Sequence, residues 1–504
     1  MILSKSNLSK ISVPGLVVPD EELFNLPEKV LQFGTGVLLR GLPDYYIDKA
    51  NRSGVFNGRV VVVKSTDTGS ADEFDRQDSL YTLYIKGIDE GKEVSEQVVC
   101  SSISRVLAAG KDWDEVLKVA KSPDLEVVIS NTTEVGIQLV EDDITKNPPV
   151  SFPGKLLAVL YARYKAFNGS ADSGLVIVPT ELIVDNGKKL KAIILELAAQ
   201  NKLEPAFISW LENSNHFCSS LVDRIVPGKP DTASNQKLEG ECGYQDSLRT
   251  ISEVYSLWAI EGNEDVASVL TFSQVDKGIV ITPDIEKFRE LKLRLLNGTH
   301  TLSCGVAFLS GLKTVKLAMD NEAFAKFITQ LMCKEIAPAI PYKVTTAETD
   351  EFAYKVLDRF RNPNIEHQWI SISAQYSSKI KMRVLPLLLN HYKQTSSVPE
   401  LIAFGFAAFI RFMKVNKAGD KYVGEANGTE YPVTDSQAEI FYKAWTNAGT
   451  QQAVENVLSN KALWDTDLTQ LPGFKDAVTG YLDAIVNNGA RKALEDLEEK
   501  NTAK

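Results

Sequence analysis

The sequence predicts an α/β chain in which a doubly wound domain is followed by a mainly α-helical one. Three observations carry that prediction. β-Branched apolar runs alternate with amphipathic stretches from residue 29 to about residue 200. The first run ends in Gly34-x-Gly36 and opens directly into an apolar helix start. From Asp284 onward the strand pattern gives way to long stretches of helical period. The implied division is 1–283 and 284–504.

Taken in order, Lys29–Phe33 reads as a short buried strand, Gly34-Thr35-Gly36 as a tight turn, and Val37-Leu38-Leu39-Arg40 as the first turn of a helix that continues through Tyr45, Tyr46 and Ile47. A strand, a glycine turn and a helix start offer backbone N–H groups to a pyrophosphate. Gln32, Phe33, Gly34, Thr35, Gly36, Val37, Leu38, Leu39 and Arg40 are therefore candidates for cofactor binding. The third glycine of the usual fingerprint is replaced by Leu39. Arg59–Lys64 reads as a second strand buried on both faces, and it runs out through Lys64-Ser65-Thr66-Asp67. Asp67 suits the ribose hydroxyls of NAD and Lys64 a 2′-phosphate, so these residues alone leave NAD and NADP open.

Tyr81–Lys86 and Glu93–Val99 form a predicted hairpin around Gly87–Gly91. A helix from Trp113 to Ala120 leads to a strand over Leu125–Ser130, which ends in Asn131-Thr132-Thr133-Glu134. Polar residues after a parallel strand line the crevice where such folds bind ligands, which adds Asn131 and Thr132 to the cofactor candidates. A helix over Pro153–Phe167 and a strand over Gly174–Pro179 follow, then a second polar strand end running from Thr180 to Asn186. Lys188–Ala199 and Phe207–Leu211 read as helices. Asp223 and Arg224 sit in an apolar frame, where a structural ion pair and a functional pair are equally expected. In the second half Glu286–Gly311, Glu322–Ile336, Thr345–Phe360 and Pro399–Val415 carry helical period, with Pro338, Pro341, Pro363 and Pro386 marking ends or turns.

A formal charge of −11, from 55 basic and 66 acidic residues, argues against a nucleic-acid binder with a broadly basic surface. Cys100, Cys218, Cys242, Cys304 and Cys333 are widely spaced and odd in number, which points to a reducing compartment, the cytoplasm. The start of the chain lacks the apolar core of a secretory signal, and no apolar run is long enough to span a bilayer. The four histidines are dispersed without metal-ligand spacing, so no metal site is expected.

The most informative stretch is Leu291–His300, which sets Lys292, Asn297 and His300 five and three residues apart. Three residues keep two side chains on one helical face, whereas five is a looser match. An amine, an amide and an imidazole in one volume suit proton transfer beside a polarised carbonyl. A plain amphipathic helix packed through Leu293, Leu295 and Leu296 fits the spacing as well.

Taken together, Gly34-x-Gly36-x-x-x-Arg40, Asn131-Thr-Thr-Glu134, Val222-Asp-Arg224 and Lys292-x4-Asn297-x2-His300 give the chain a resemblance to the polyol-specific long-chain dehydrogenases of the mannitol dehydrogenase family. Further matches at Arg359-Phe-Arg-Asn-Pro363 and Asp465–Gln470 extend it over nearly the full length, closest to the branch that reduces D-tagaturonate to D-altronate. The resemblance implies a Rossmann-type domain binding NAD, a helical substrate and catalytic domain, and metal-independent hydride transfer to a small hexuronate in the cleft between them. It implies Lys292 as general acid and base, Asn297 as donor to the carbonyl oxygen, and His300 as the group that positions a substrate hydroxyl. Lys379 matches a substrate-contacting lysine. Two positions depart from the polyol enzymes: Leu182 replaces an oxyanion-site asparagine, with Asn186 as a substitute, and Ser371 replaces a substrate arginine. Arg224, Arg361 and Lys379 are then the candidates for a substrate carboxylate, with Asp223 beside them. Reductases of fructuronate or mannitol share these residues, and a non-catalytic dinucleotide-binding protein is the alternative outside catalysis.

Overall fold

The computed structural model describes residues 1–64, 71–133 and 136–502. The chain divides into two compact units, one of Met1–Gly87 with Glu93–Ile285 and one of Ile88–Lys92 with Glu286–Lys504. In the first unit six strands form a single parallel sheet: β1 Glu28–Phe33, β2 Arg59–Lys64, β3 Ile103–Ala108, β4 Val127–Ser130, β5 Val176–Pro179 and β6 His216–Phe217. Their spatial order is β3-β2-β1-β4-β5-β6, with every neighbouring pair parallel. The order reverses between β1 and β4, the switch point at which doubly wound sheets open a crevice for a dinucleotide.

The apolar runs seen in the sequence follow from burial on both faces. Val30, Val60, Val62, Val127, Ile129 and Val178 enter one core with Tyr46 and Ile47. Leu31, Phe33, Val61, Val63, Val128 and Ile177 enter the other, against Trp113, Val116, Leu156 and Ile194. Successive strand residues point to opposite faces, so a strand covered on both sides must be apolar throughout.

The helix expected to run unbroken from Val37 through Ile47 is two helices, Val37–Gly41 and Pro43–Arg52. Leu42 lies between them at φ −134° and ψ −83°. Pro43 lacks an N–H and pushes the residue before it out of the helical region. The hairpin is longer than predicted, Tyr81–Asp89 with Lys92–Cys100, and it turns on Glu90 and Gly91, both at positive φ. It joins Leu16–Val17 and Thr250–Glu253 in a four-stranded sheet, and Ser220–Asp223, Leu257–Glu261 and Ile279–Thr282 make a further three-stranded one. The added strands are mostly short, and their residues carried no turn signal strong enough to mark them.

The second unit is mainly helical. One continuous helix runs from Glu286 to Leu309, but its middle, Lys292–Gly298, is a π-turn. A second interrupted helix runs from Tyr376 through a π-turn at Ile380–Val384 to Gln394. Pro386 stands, as expected of a helix end, in the first turn of the segment Leu385–Gln394 that follows the π-turn. The helix Glu400–Phe412 passes close to Thr299–Leu309 at two glycines. A Cβ on Gly305 would stand 2.9 Å from the Ala408 carbonyl, and one on Gly405 would stand 2.8 Å from the Leu302 carbonyl. This unit also holds a small sheet of Val415–Ala418, Lys421–Ala426 and Thr429–Val433, absent from the sequence prediction. Its Asn427-Gly428 turn, with both residues at positive φ, is the hairpin signal that marks it. Among the described residues no helix is long and apolar enough to cross a membrane.

Of the two loop glycines, Gly34 has φ +126° and its Cβ would stand 2.6 Å from the Asn131 carbonyl oxygen, whereas a Cβ on Gly36 meets nothing within 4 Å. Gly34→Ala should therefore cost about 1–3 kcal/mol in urea unfolding of the full chain, while Gly36→Ala, at φ −65°, should be nearly neutral.

Candidate active site

The glycine loop of the first unit is braced from beneath. Arg40 is buried and donates from its guanidinium to the Thr35 carbonyl at 2.9 Å and to Thr250 Oγ1 at 3.2 Å. Gln32 donates to Asp44 at 3.2 Å, and Asp44, wholly enclosed, is pushed up to about 7 by burial. Phe33 packs on Phe152, and Leu39 is fully buried with a methyl against Gly34. Gln32, Phe33, Leu39 and Arg40 thus shape the loop and do not present their side chains to a ligand. Leu39 fills the place of the missing third glycine because the core needs its volume there.

Across the switch point, Asn131 donates to the carbonyl of Thr180 at 3.1 Å and to its Oγ1 at 2.9 Å. Glu181, also buried, accepts from Ser130 Oγ, Thr132 N and Thr132 Oγ1 at 2.9–3.1 Å. These bonds hold the ends of β4 and β5 together beside Gly34. The Gly34 backbone lies against Asn131, and the space at Gly36 is open. Together with the N–H groups that open the helix at Val37 and Leu38, which have no helical partner, that arrangement fits a pyrophosphate. Asp67 lies outside the described residues.

Four of the predicted site residues, Asn186, Asp223, Arg224 and Arg361, lie in structural positions. Asn186 is fully buried, and its amide donates to the carbonyls of Pro179, Glu181 and Ser220 while its Oδ1 accepts from the N–H groups of Gly187 and Ser220. Its hydrogen-bonding capacity is spent, so it does not replace the asparagine missing at Leu182. Arg224 donates to Gly41 O at 2.6 Å and Glu253 O at 2.9 Å and lies over the rings of Tyr45 and Tyr46, a structural position. Its neighbour Asp223 is buried on a strand opposite Leu257. Arg361 pairs with Asp358 one helical turn back.

In the second unit the π-turn changes the reading of Lys292 and Asn297. Five residues carry a side chain about 140° round an α-helix. A turn closed by i→i+5 bonds holds one residue more and returns the fifth residue to nearly the same face. Lys292 and Asn297, both half-buried, lie at the two ends of such a turn, and His300 follows on the α-helical continuation.

His300 is buried, stacked on Phe360 at 4.2 Å between centroids and edge-on to His367 at 5.0 Å. Burial holds its pKa well below the usual imidazole value, and His367, Arg359, Arg383 and Lys379 lower it further. It is a neutral ring in a basic surrounding. Among the described residues its Nε2 has no hydrogen-bond partner. Arg359, His367 and Arg383 were not among the predicted site residues. The i,i+4 spacing of Lys379 and Arg383 was the available signal for the last.

Arg294 fixes the two interrupted helices to each other. It forms a buried, two-point pair with Glu290 at 2.9 and 3.1 Å and donates to the carbonyls of Met382 and Arg383 at 2.7 and 3.0 Å. Pro386, four residues after Met382, has no N–H to offer that carbonyl. Arg294 supplies the missing donor.

Residues 28–273 match the mannitol dehydrogenase Rossmann domain, and residues 284–486 the mannitol dehydrogenase C-terminal domain. The altronate oxidoreductase of Halalkalibacterium halodurans is 39% identical over 480 residues, which is 93% of each chain. The chain belongs to the mannitol dehydrogenase family. It is an oxidoreductase of that NAD-dependent family, acting on a small molecule of the polyol or uronate class. The altronate oxidoreductase of Escherichia coli O6:K15:H31 is 38% identical over 481 residues, covering 94% of this chain and 97% of its own. The fold is also that of a Pseudomonas fluorescens mannitol 2-dehydrogenase solved with NAD and D-mannitol, with TM-score 0.66, 22% identity and coverage of 99% of this chain and 100% of the other. A substrate-free D-sorbitol dehydrogenase gives TM-score 0.77 at 20% identity, covering 98% of this chain and 100% of the other.

Two outcomes follow for this dehydrogenase. Arg294→Met leaves Glu290 buried without its partner and should cost about 3–5 kcal/mol of stability in denaturant unfolding. Arg294→Lys should recover only part of it, because an ammonium lacks the fork that reaches two carbonyls. Secondly, His300 and His367 have folded-state pKa values below the ordinary one. Each takes up a proton more readily when unfolded, so stability is full above about pH 6.5 and falls on acidification below it, by up to about 1.4 kcal/mol per pH unit per ring. The urea midpoint of His300→Gln should change less between about pH 7 and pH 5.5 than that of the parent.

Proposed function

We propose that this chain catalyses the NAD-dependent, reversible reduction of D-tagaturonate to D-altronate. The observation that carries this reading is the basic surrounding of His300, in which Arg359, Lys379 and Arg383 act on one buried neutral imidazole. A keto-uronate carries a charge that such a field would meet. The names of the relatives, altronate oxidoreductases at 38% and 39% identity, support the same substrate class. The five free cysteines suit a reducing compartment, and the cytoplasm is its proposed location.

Gly34, Gly36 and the Asn131 edge of the crevice would hold NADH, which supplies the hydride when bound. The rest of the chemistry falls to residues of the second unit. The Asn297 side-chain N–H groups donate to the carbonyl oxygen and stabilise the negative charge that builds there as the carbon is reduced. The Lys292 ammonium then gives a proton to that oxygen, and in the reverse direction the amine takes it back. His300, kept neutral, has one ring nitrogen able to donate and the other to accept, which suits it to orient a substrate hydroxyl without adding charge. No metal is needed, because an amide and an ammonium do the work of polarisation. With Leu182 in place of the oxyanion-site asparagine and Asn186 engaged in the fold, Asn297 carries that role without a second amide.

The test is oxidation of NADH, followed by the nicotinamide absorbance, with D-tagaturonate and D-fructuronate side by side and NADPH as the alternative donor. Turnover favouring D-tagaturonate with NADH is expected. A preference for D-fructuronate or for a neutral ketose would overturn the substrate assignment, and NADH binding without turnover of any of them would overturn catalysis. Lys292→Ala should lose about 10²–10⁴-fold in kcat while NADH affinity stays near that of the parent. Normal turnover in that variant would refute the proton-transfer role.

A further inference from the structure

We infer that Arg383, with Lys379 four residues before it, forms the subsite that receives the carboxylate of the substrate. The inference rests on the keto-uronate reading above and deepens it, by assigning the carboxylate to two of the cations named there. Three features of the second unit point to this pair.

The first is position. Arg383 donates from NH1 to Thr301 Oγ1 at 3.2 Å, and Thr301 is the residue next to His300. Thr301 in turn donates through the same hydroxyl to the Asn297 carbonyl at 2.7 Å. The guanidinium is thus tied to the backbone of the turn that carries Asn297 and His300. Its own backbone carbonyl is clamped by Arg294, so the side chain springs from a fixed point.

The second is unfilled capacity. Arg383 is half-buried, and among the described residues its enclosed Nε has no hydrogen-bond partner. His300 Nε2, the Trp369 indole N–H and Ser303 Oγ are likewise enclosed without a partner. Trp369 stands edge-on to His300 at 5.9 Å, and Ser303 is one helical turn beyond it. Buried polar atoms with no partner are costly, and a polar ligand that reaches them completes the bonding.

The third is charge. Burial lowers the pKa of both Lys379 and Arg383, and Lys379 is lowered further by Arg383 itself. Two like charges held together in a half-buried place repel, and a carboxylate between them removes the repulsion and accepts from the guanidinium fork. Lys379 spends one N–H on the Ile372 carbonyl at 2.7 Å, and among the described residues no further hydrogen bond from its ammonium is seen. The acid it senses, Asp435, accepts from Ser377 N, Ser377 Oγ and Gln437 N and so is already occupied. Arg224, whose guanidinium is bound to backbone carbonyls, does not compete for the role.

The experiment compares kcat/KM for D-tagaturonate with that for D-tagatose, which carries a CH2OH in place of the carboxylate. It uses the full-length parent, Arg383→Gln, Arg383→Lys and Lys379→Gln, with NADH binding and thermal melting recorded for each. In the parent the charged substrate should be preferred; if D-tagatose is preferred instead, the keto-uronate reading itself fails. Given that preference, Arg383→Gln should reduce the ratio of the two kcat/KM values about a hundredfold, mainly through KM for D-tagaturonate. Arg383→Lys should restore part of it, since the charge returns without the fork, and Lys379→Gln should give a smaller drop. A ratio unchanged in Arg383→Gln, with both substrates weakened equally, would show that Arg383 serves only the fold. If Arg383→Gln melts early and loses NADH binding, the ratio in Arg383→Lys decides: an unchanged ratio overturns the inference, and a reduced one supports it.

Discussion

One guanidinium holds the second unit in working order. Arg294 sits on the π-turn that carries Lys292 and Asn297, and its donors reach the carbonyls of Met382 and Arg383 on another interrupted helix. A π-turn leaves the ordinary helical ladder out of step, and Pro386 removes one donor from the second ladder altogether. A buried arginine, neutralised by Glu290 and aimed at those carbonyls, satisfies both demands at once. The same contact sets the residues proposed for proton transfer and those proposed for carboxylate binding in one register.

The first unit solves a different problem, that of bringing backbone close to a diphosphate. Its solution is also steric and electrostatic. Gly34 passes within contact of the Asn131 carbonyl because it has no Cβ. Glu181 gathers three donors from the end of β4, which ties the ends of β4 and β5 together at the crevice. Arg40 restrains the loop by its Thr35 carbonyl. The residues that look like ligand contacts in the sequence are in several cases the braces behind the contacts.

Much of this was legible from the residues. Continuous valine runs such as Arg59–Lys64 predicted strands covered on both faces, and their alternation with amphipathic segments predicted the parallel sheet. What escaped has physical reasons. Lys292 and Asn297 looked poorly matched because periodicity assumes 3.6 residues per turn, and a π-turn has no sequence signature of its own. Asn186 and Arg224 are polar residues whose partners are backbone carbonyls, and side-chain identity does not reveal such partners. Arg383 is one of many surface-like arginines until the fold ties it to Thr301. Asn427-Gly428, by contrast, was a readable hairpin signal that the helical texture around it obscured.

The measurement that tests the account most directly follows the hydride itself. With nicotinamide-deuterated NADH and D-tagaturonate, the product is isolated and its deuterium located by NMR. The account predicts D-altronate labelled at the carbon that was the ketone, with one deuterium per NADH consumed. Unlabelled product, label at another carbon, or the epimer L-galactonate in place of D-altronate would contradict it.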